Sequence, residues 1–200
     1  MSARAQASVV LQPHPETSHP AVESIESTLS WTPSRVLTVT YTLGGVVDQL
    51  RIPAYRSARR LDDLWRHTCF ELFVGAKNDA EYYEFNFSPS GEWAAYGFRD
   101  YRDGGPFNSD GIEPKIAVQR DARTLELNAV VRLDCLPGIH SGISLSLGLS
   151  AVIEDCNGSL SYWALKHPPG KPDFHHSDNF TLQIERAVVG GAAIDYTVTP

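Results

Sequence analysis

Two acids and an amide stand at spacings that place them on one surface if their segments are strands. Glu71 lies in His67-Thr68-Cys69-Phe70-Glu71-Leu72-Phe73-Val74, and Glu84 and Asn86 lie in Tyr82-Tyr83-Glu84-Phe85-Asn86-Phe87. Successive side chains of a strand point to opposite faces. Phe70, Leu72 and Val74 then share one face of the first run, and Cys69, Glu71 and Phe73 the other. In the second run Tyr83, Phe85 and Phe87 separate in the same way from Tyr82, Glu84 and Asn86. Carboxylates and an amide on the non-core face of neighbouring strands form a polar platform that can hydrogen-bond hydroxyl groups. Trp65 and Trp93 flank the platform in sequence, and Trp163 lies on a later strand-like run. Indole faces stack on the CH faces of a pyranose, while charged and amide groups take its hydroxyl rim.

The same residues admit other chemistry. A Glu71/Glu84 pair is the composition of a glycosidase dyad. The plain alternative is an exposed sheet face whose acids pair with Arg51, Arg66 or Arg99, which is worth little. Trp93, with Ala95 and Gly97 as its same-face neighbours, competes for the role of aromatic wall, although tryptophans are often core residues. A Pro-stiffened loop reads Lys166-His167-Pro168-Pro169-Gly170-Lys171-Pro172-Asp173-Phe174-His175-His176. It is expected to close over a ligand edge or to dock on the sheet through Phe174. Its histidines and Asp173 raise a metal-dependent alternative, but adjacent residues of an extended chain point apart, so His175 and His176 make poor co-ligands. No metal and no cofactor is expected.

The elements that must position these groups are strands. Leu37, Val39, Tyr41 and Leu43 alternate with threonines, Gly44-Gly45 reads as a hairpin turn, and residues 50–53 as a short return strand. Ser57 to Leu64 suits one helical turn. Strands are expected at about 67–75, 81–88 and 92–99, with turns at Asn78-Asp79 and Pro89-Ser90-Gly91. Residues 100–113 read as a long loop. Further strands are expected at about 115–120, 124–133, 142–154, 160–167 and 179–186, and near 194–198, with Asp155-Cys156-Asn157-Gly158 as a hairpin turn between 142–154 and 160–167. Along 143–153 an apolar face of Ile143, Leu145, Leu147, Leu149, Ala151 and Ile153 opposes Ser144, Ser146, Gly148 and Ser150. Such small side chains leave depth either for a ligand or for a covering loop of the same chain. Many short strands without helical periodicity indicate a β-sandwich or barrel.

Composition narrows the partners. A chain of 200 residues with 42% hydrophobic content suits one domain, expected over 21–200 behind a flexible or extended leader over 1–20. A net charge of −7 without a basic block argues against nucleic acid and against anionic membrane surfaces. No apolar run reaches the roughly 20 residues of a span, and the N-terminus lacks a secretory apolar core. Three cysteines without short spacing suggest a reduced, cytoplasmic setting.

Three segments carry a family likeness: His67-Thr68-Cys69-Phe70-Glu71-Leu72-Phe73, Tyr83-Glu84-Phe85-Asn86-Phe87-Ser88-Pro89-Ser90-Gly91, and Ser161-Tyr162-Trp163-Ala164-Leu165 with the Pro- and His-rich loop after it. On these the chain resembles the DOMON-like domains related to family 9 carbohydrate-binding modules, in a subgroup of stand-alone bacterial proteins. The resemblance implies an all-β, antiparallel β-sandwich of jelly-roll or immunoglobulin-like type, with a sugar or haem held on one sheet face. It carries no hydrolase activity. The two-tryptophan clamp of sugar-binding relatives falls on Trp65 and Trp163. Arg66-His67 replaces an acidic position of the family, which removes oxygen ligands a structural Ca²⁺ needs. Met1 is the sole methionine, so the methionine–histidine haem ligation of other relatives has no counterpart. The expected function is non-catalytic binding of a carbohydrate or glycoconjugate through Trp65, Arg66, Glu71, Glu84, Asn86, Trp93, Trp163, Lys166, His167 and His175. The alternatives are an enzyme or metal-dependent protein using the His167–His176 loop, and a protein-interaction domain without a small ligand.

Overall fold

Alternation of apolar and polar residues becomes thirteen strands in a computed structural model that describes residues 5–32, 34–140, 142–189 and 193–199. They are β1 (Ala5–Pro13), β2 (Val22–Trp31), β3 (Val36–Gly45), β4 (Cys69–Ala76), β5 (Tyr82–Phe87), β6 (Trp93–Asp100), β7 (Asp103–Pro106), β8 (Lys115–Arg120), β9 (Thr124–Arg132), β10 (Leu145–Glu154), β11 (Leu160–Ala164), β12 (Leu182–Val189) and β13 (Ala193–Thr199). Among the described residues the only helical pieces are single 3₁₀ turns at Val47–Gln49, Leu64–Arg66 and Ser177–Asn179. The protein is an all-β antiparallel sandwich. One sheet runs β8-β9-β3-β2-β1 and the other β7-β6-β5-β4-β10-β11. The sheets join where β1, paired with β2 over Ala5–Leu11, passes Gln12 and Pro13 to β11. The second edge of β10 is shared, its early residues pairing with β12 and its later ones with β11.

Burial on the inner faces follows the pattern of the sequence. Leu37, Val39, Tyr41 and Leu43 of β3 meet Phe70, Leu72, Phe85, Leu147 and Leu149 of the opposite sheet in one core. Each large side chain so buried contributes about 1.5–3 kcal/mol. Tyr41 makes a polar reach across this core. Its hydroxyl donates to the Glu71 carbonyl at 2.6 Å, which satisfies a buried phenol and ties β3 to the strand that carries the platform.

Several local expectations change. Of the two forms expected of the leader, residues 5–13 take the extended one, as a paired strand: Val9 and Leu11 pack on the core, and apolar burial holds β1 in the sheet. Gly44-Gly45 does not turn the chain back, because both remain paired with β2 at the end of β3. Residues 50–53 form no strand and make only a bridge, Leu50 to Asp155. Ser57–Leu64 is irregular, and the helical turn falls later, at Leu64–Arg66. Part of the 100–113 loop, Asp103–Pro106, folds back on β6 as β7. The turns at Asn78-Asp79, at Gly91 (φ 85°) and at Gly158 (φ 84°) lie where the turn residues put them.

Candidate functional site

The outer face of the second sheet is built by strand parity. Glu71 stands opposite Asn86, and Phe73 opposite Glu84, so the two acids are diagonal neighbours on adjacent strands. On the other side of β4, Ser150 faces Glu71. Tyr96 of β6 is opposite Glu84, and Tyr162 of β11 is opposite Val152. Of these side chains Glu71, Glu84, Tyr96, Val152 and Tyr162 form the floor and walls of a cavity of about 630 Å³. Trp65 with Asp62 and Asp63, Phe98, Arg102, and Lys171, Pro172, Phe174 and His175 of the Pro-rich loop complete its lining.

That loop is pinned over the sheet by its own acid. Asp173 accepts from Tyr101 Oη at 2.6 Å, from Arg102 Nη2 at 2.7 Å and from the His175 amide at 3.2 Å. Phe174 packs with Phe73, Tyr82, Val152 and Ala164. The small side chains of β10 make room for this cover. A Cβ on Gly148 would stand 2.8 Å from Asn179 Nδ2, which in turn donates to the Phe174 carbonyl at 3.0 Å. Of the two readings of that face, a loop of the same chain covers the Gly148 part, and the cavity occupies the part toward Val152 and Tyr162.

The floor is electrostatically unusual. Glu71 and Glu84 are 3% and 6% exposed. Glu71 accepts a long bond from Ser150 Oγ at 3.4 Å, while Glu84 accepts from Asn86 Nδ2 at 2.7 Å. Burial first, and the charge of Glu84 second, hold the Glu71 carboxyl well above its usual range. Burial also raises Glu84, to about 7, with Asn86 and Arg102 opposing. His175 is held below its ordinary value, at about 4, by burial and then by Arg102. The Arg102 amide donates to Tyr82 Oη at 3.1 Å, and Tyr82 Oη lies 2.9 Å from His175 Nδ1. His175 Nε2 lies 3.6 Å from Glu84. Tyr96 Oη donates to Asp62 at 3.1 Å, which fixes the ring on the wall.

The expected site residues divide. Trp65, Glu71, Glu84 and His175 meet in the cavity lining. Asn86 is fully buried beneath it, braced by Cys69, whose Sγ donates to Asn86 Oδ1 at 3.5 Å. Arg66 stacks on Trp65 with its guanidinium 5.3 Å from the ring centre and pairs with Asp63 at 3.4 Å, so it steadies the wall without lining it. Trp163 is not a wall. It pairs with Ala151 on the inner face, is 2% exposed and donates from Nε1 to Ser161 Oγ at 3.1 Å. Tyr162, one residue earlier, takes the outward place. Trp93 also points inward, opposite Phe87, under the Arg60 guanidinium. Lys166 pairs with Asp178 at 3.0 Å and His167 binds the Gln12 carbonyl at 2.9 Å, so both fasten the loop away from the cavity.

The His167–His176 loop does not gather its histidines. His167 faces β1, His175 the cavity, and His176 Nδ1 caps the following turn at Asp178. Among the described residues no three His, Cys, Asp or Glu side chains group to hold a metal ion. The cavity lining offers His175 as its one histidine and no methionine, so neither a methionine–histidine nor a bis-histidine pair of axial haem ligands is assembled there. Tyr96 and Phe98 are not among the expected site residues, although strand parity puts both on the face of Ala94, opposite to Trp93. Arg102, Asp62, Asp63 and Lys171 lie in irregular segments and carry no periodic signal.

No protein-family model matches the sequence, and no curated protein matches it. Among solved structures the chain is similar to one from Bacteroides uniformis described as a "putative carbohydrate-binding protein". The two are 16% identical, with a TM-score of 0.62 over 90% of this chain and 84% of the other. Among the described residues no helix is long and apolar enough to cross a membrane. At that identity the likeness is one of architecture, and what the two chains share is the all-β sandwich fold.

Proposed function

We propose that this protein is a non-catalytic binding module that holds a carbohydrate or glycoconjugate on the outer face of the second sheet, in the manner of DOMON-like domains related to family 9 carbohydrate-binding modules. The observation that carries this reading is the cavity of about 630 Å³ in which two buried carboxyl groups, Glu71 and Glu84, lie among the rings of Trp65, Tyr96, Tyr162 and Phe174. A concave, mostly apolar site with a few fixed polar groups is the usual form of a small-ligand site. Aromatic faces supply stacking, and the carboxyl groups and Tyr96 supply hydroxyl recognition. The carbohydrate-binding description of the structural neighbour agrees with this reading.

Catalysis is not part of the proposal. Glycoside hydrolysis places two carboxyl groups on either side of the scissile bond. Glu71 and Glu84 rise from adjacent strands of one sheet and meet a ligand from the same side. We place the working protein in a reducing compartment, the cytoplasm, because Cys69, Cys135 and Cys156 are all unpaired, and we take 5–199 as one domain.

A glycan array followed by calorimetry tests the proposal on wild type, Trp65→Ala and Glu71→Gln. Loss of the Trp65 wall should weaken binding by about 1–3 kcal/mol, the range for an aromatic anchor. Full affinity in both folded variants would move the site elsewhere. An array on which no sugar binds would replace the carbohydrate reading with that of a protein-interaction domain.

A further inference from the structure

Among the described residues no lysine or arginine forms an ion pair with either floor acid. Arg102 is the charged group that acts on both, but its guanidinium is committed to Asp173 at 2.7 Å. His175 Nε2 stands 3.6 Å from Glu84, and burial keeps its ring neutral near pH 7. Lys171 is exposed in the same lining. Buried carboxylates without a partner are costly, and burial accordingly favours their protonated forms. A ligand that brought a positive charge would reverse this, because it would supply the missing partner to both acids at once.

The walls favour the same kind of ligand. Tyr96, Tyr162, Phe174 and Trp65 surround the floor, and aromatic faces attract a cation most strongly when water is excluded. Asp62 and Asp63, exposed in the same lining, add negative potential on the approach. A metal ion is a poor candidate for this place. Hard cations want six or more oxygen ligands, and here ring carbons stand where further oxygens are needed.

We infer that the ligand carries a protonated amine, and that the carbohydrate bound is an amino sugar whose ammonium group sits against Glu71 and Glu84 while its ring lies along Tyr96, Tyr162 and Phe174. The choice of a sugar rests on the binding function proposed above, whereas the preference for a cation rests on the floor and walls alone. N-acetylation of the same sugar removes the charge and keeps the ring, so it isolates the feature.

The experiment is calorimetry on the full chain at pH 7.5. Glucosamine, galactosamine and chitosan oligosaccharides are compared with their N-acetylated forms and neutral parent sugars, with choline as a cation that is not a sugar. Amino sugars should bind at least tenfold more tightly than their N-acetylated forms. Glu71→Gln and Glu84→Gln, verified as folded by circular dichroism, should erase that preference. Equal or tighter binding of the neutral sugars overturns the inference and leaves the carbohydrate reading standing. Binding of choline with no sugar upholds the cation site and removes the carbohydrate reading. Binding of none of these compounds overturns both.

Discussion

Exchanging Glu84 for glutamine should change how stability depends on pH, with a sign fixed by burial. The folded carboxyl titrates at about 7 in place of 4.5, because burial disfavours its charge more than Asn86 and Arg102 favour it. In the unfolded chain it returns to its ordinary value near 4.3. Between these limits the folded protein holds a proton that the unfolded chain has released. The contribution is therefore complete below about pH 4.5 and is lost as pH rises through about 7. The slope is about 1.4 kcal/mol per pH unit, or about 3 kcal/mol across the window. His175 works in the opposite direction. Its folded value of about 4 means that the unfolded chain binds the extra proton, so its contribution is present above about 6.5 and is lost as pH falls toward 4. The two slopes overlap in the wild-type curve. The difference between wild type and Glu84→Gln removes His175, which both proteins contain. Glu71 remains raised in both, since burial is its first cause. Glutamine still offers an oxygen to Asn86 Nδ2. Urea unfolding followed by circular dichroism at half-unit steps from pH 4 to 8 gives the two curves. The wild-type advantage should fall by about 3 kcal/mol from pH 4.5 to 7. A flat difference would refute the argument that burial dominates. A difference that rises with pH would show that Arg102 stabilises the anion instead.

Two further outcomes test the cover of the site. Gly148→Ala should cost about 1–3 kcal/mol, read by urea unfolding, because its Cβ would meet Asn179 Nδ2 at 2.8 Å. Asp173→Asn should speed amide exchange across residues 166–180 while leaving the β3 and β9 amides protected. The carboxylate that accepts from Tyr101 and Arg102 would be lost, at a local cost of about 1–3 kcal/mol.

Local alternation determined much of this protein. Phe70-Glu71-Leu72-Phe73-Val74 and Tyr83-Glu84-Phe85-Asn86-Phe87 assign each side chain to a face with a period of two, and the pairing of β4 with β5 keeps both assignments. The all-β class, the small outer face of β10 and the turns at Asn78-Asp79, Gly91 and Asp155–Gly158 were equally readable, because each depends on neighbours in the chain. Tertiary structure decided the rest. Leu160-Ser161-Tyr162-Trp163-Ala164 carries aromatic rings on both faces, so its own pattern gives no direction. The register that sets Trp163 against Ala151 sends the indole into the core and leaves Tyr162 to the cavity. A one-residue slip reverses such an assignment completely. Trp93 turned inward for the same reason, through its pairing with Phe87. The wall from Asp62 to Trp65, the commitment of Arg102 to Asp173 and the place of His175 above Glu84 join segments far apart in sequence. No periodic signal encodes contacts of that kind, because irregular chain is positioned by what it packs against.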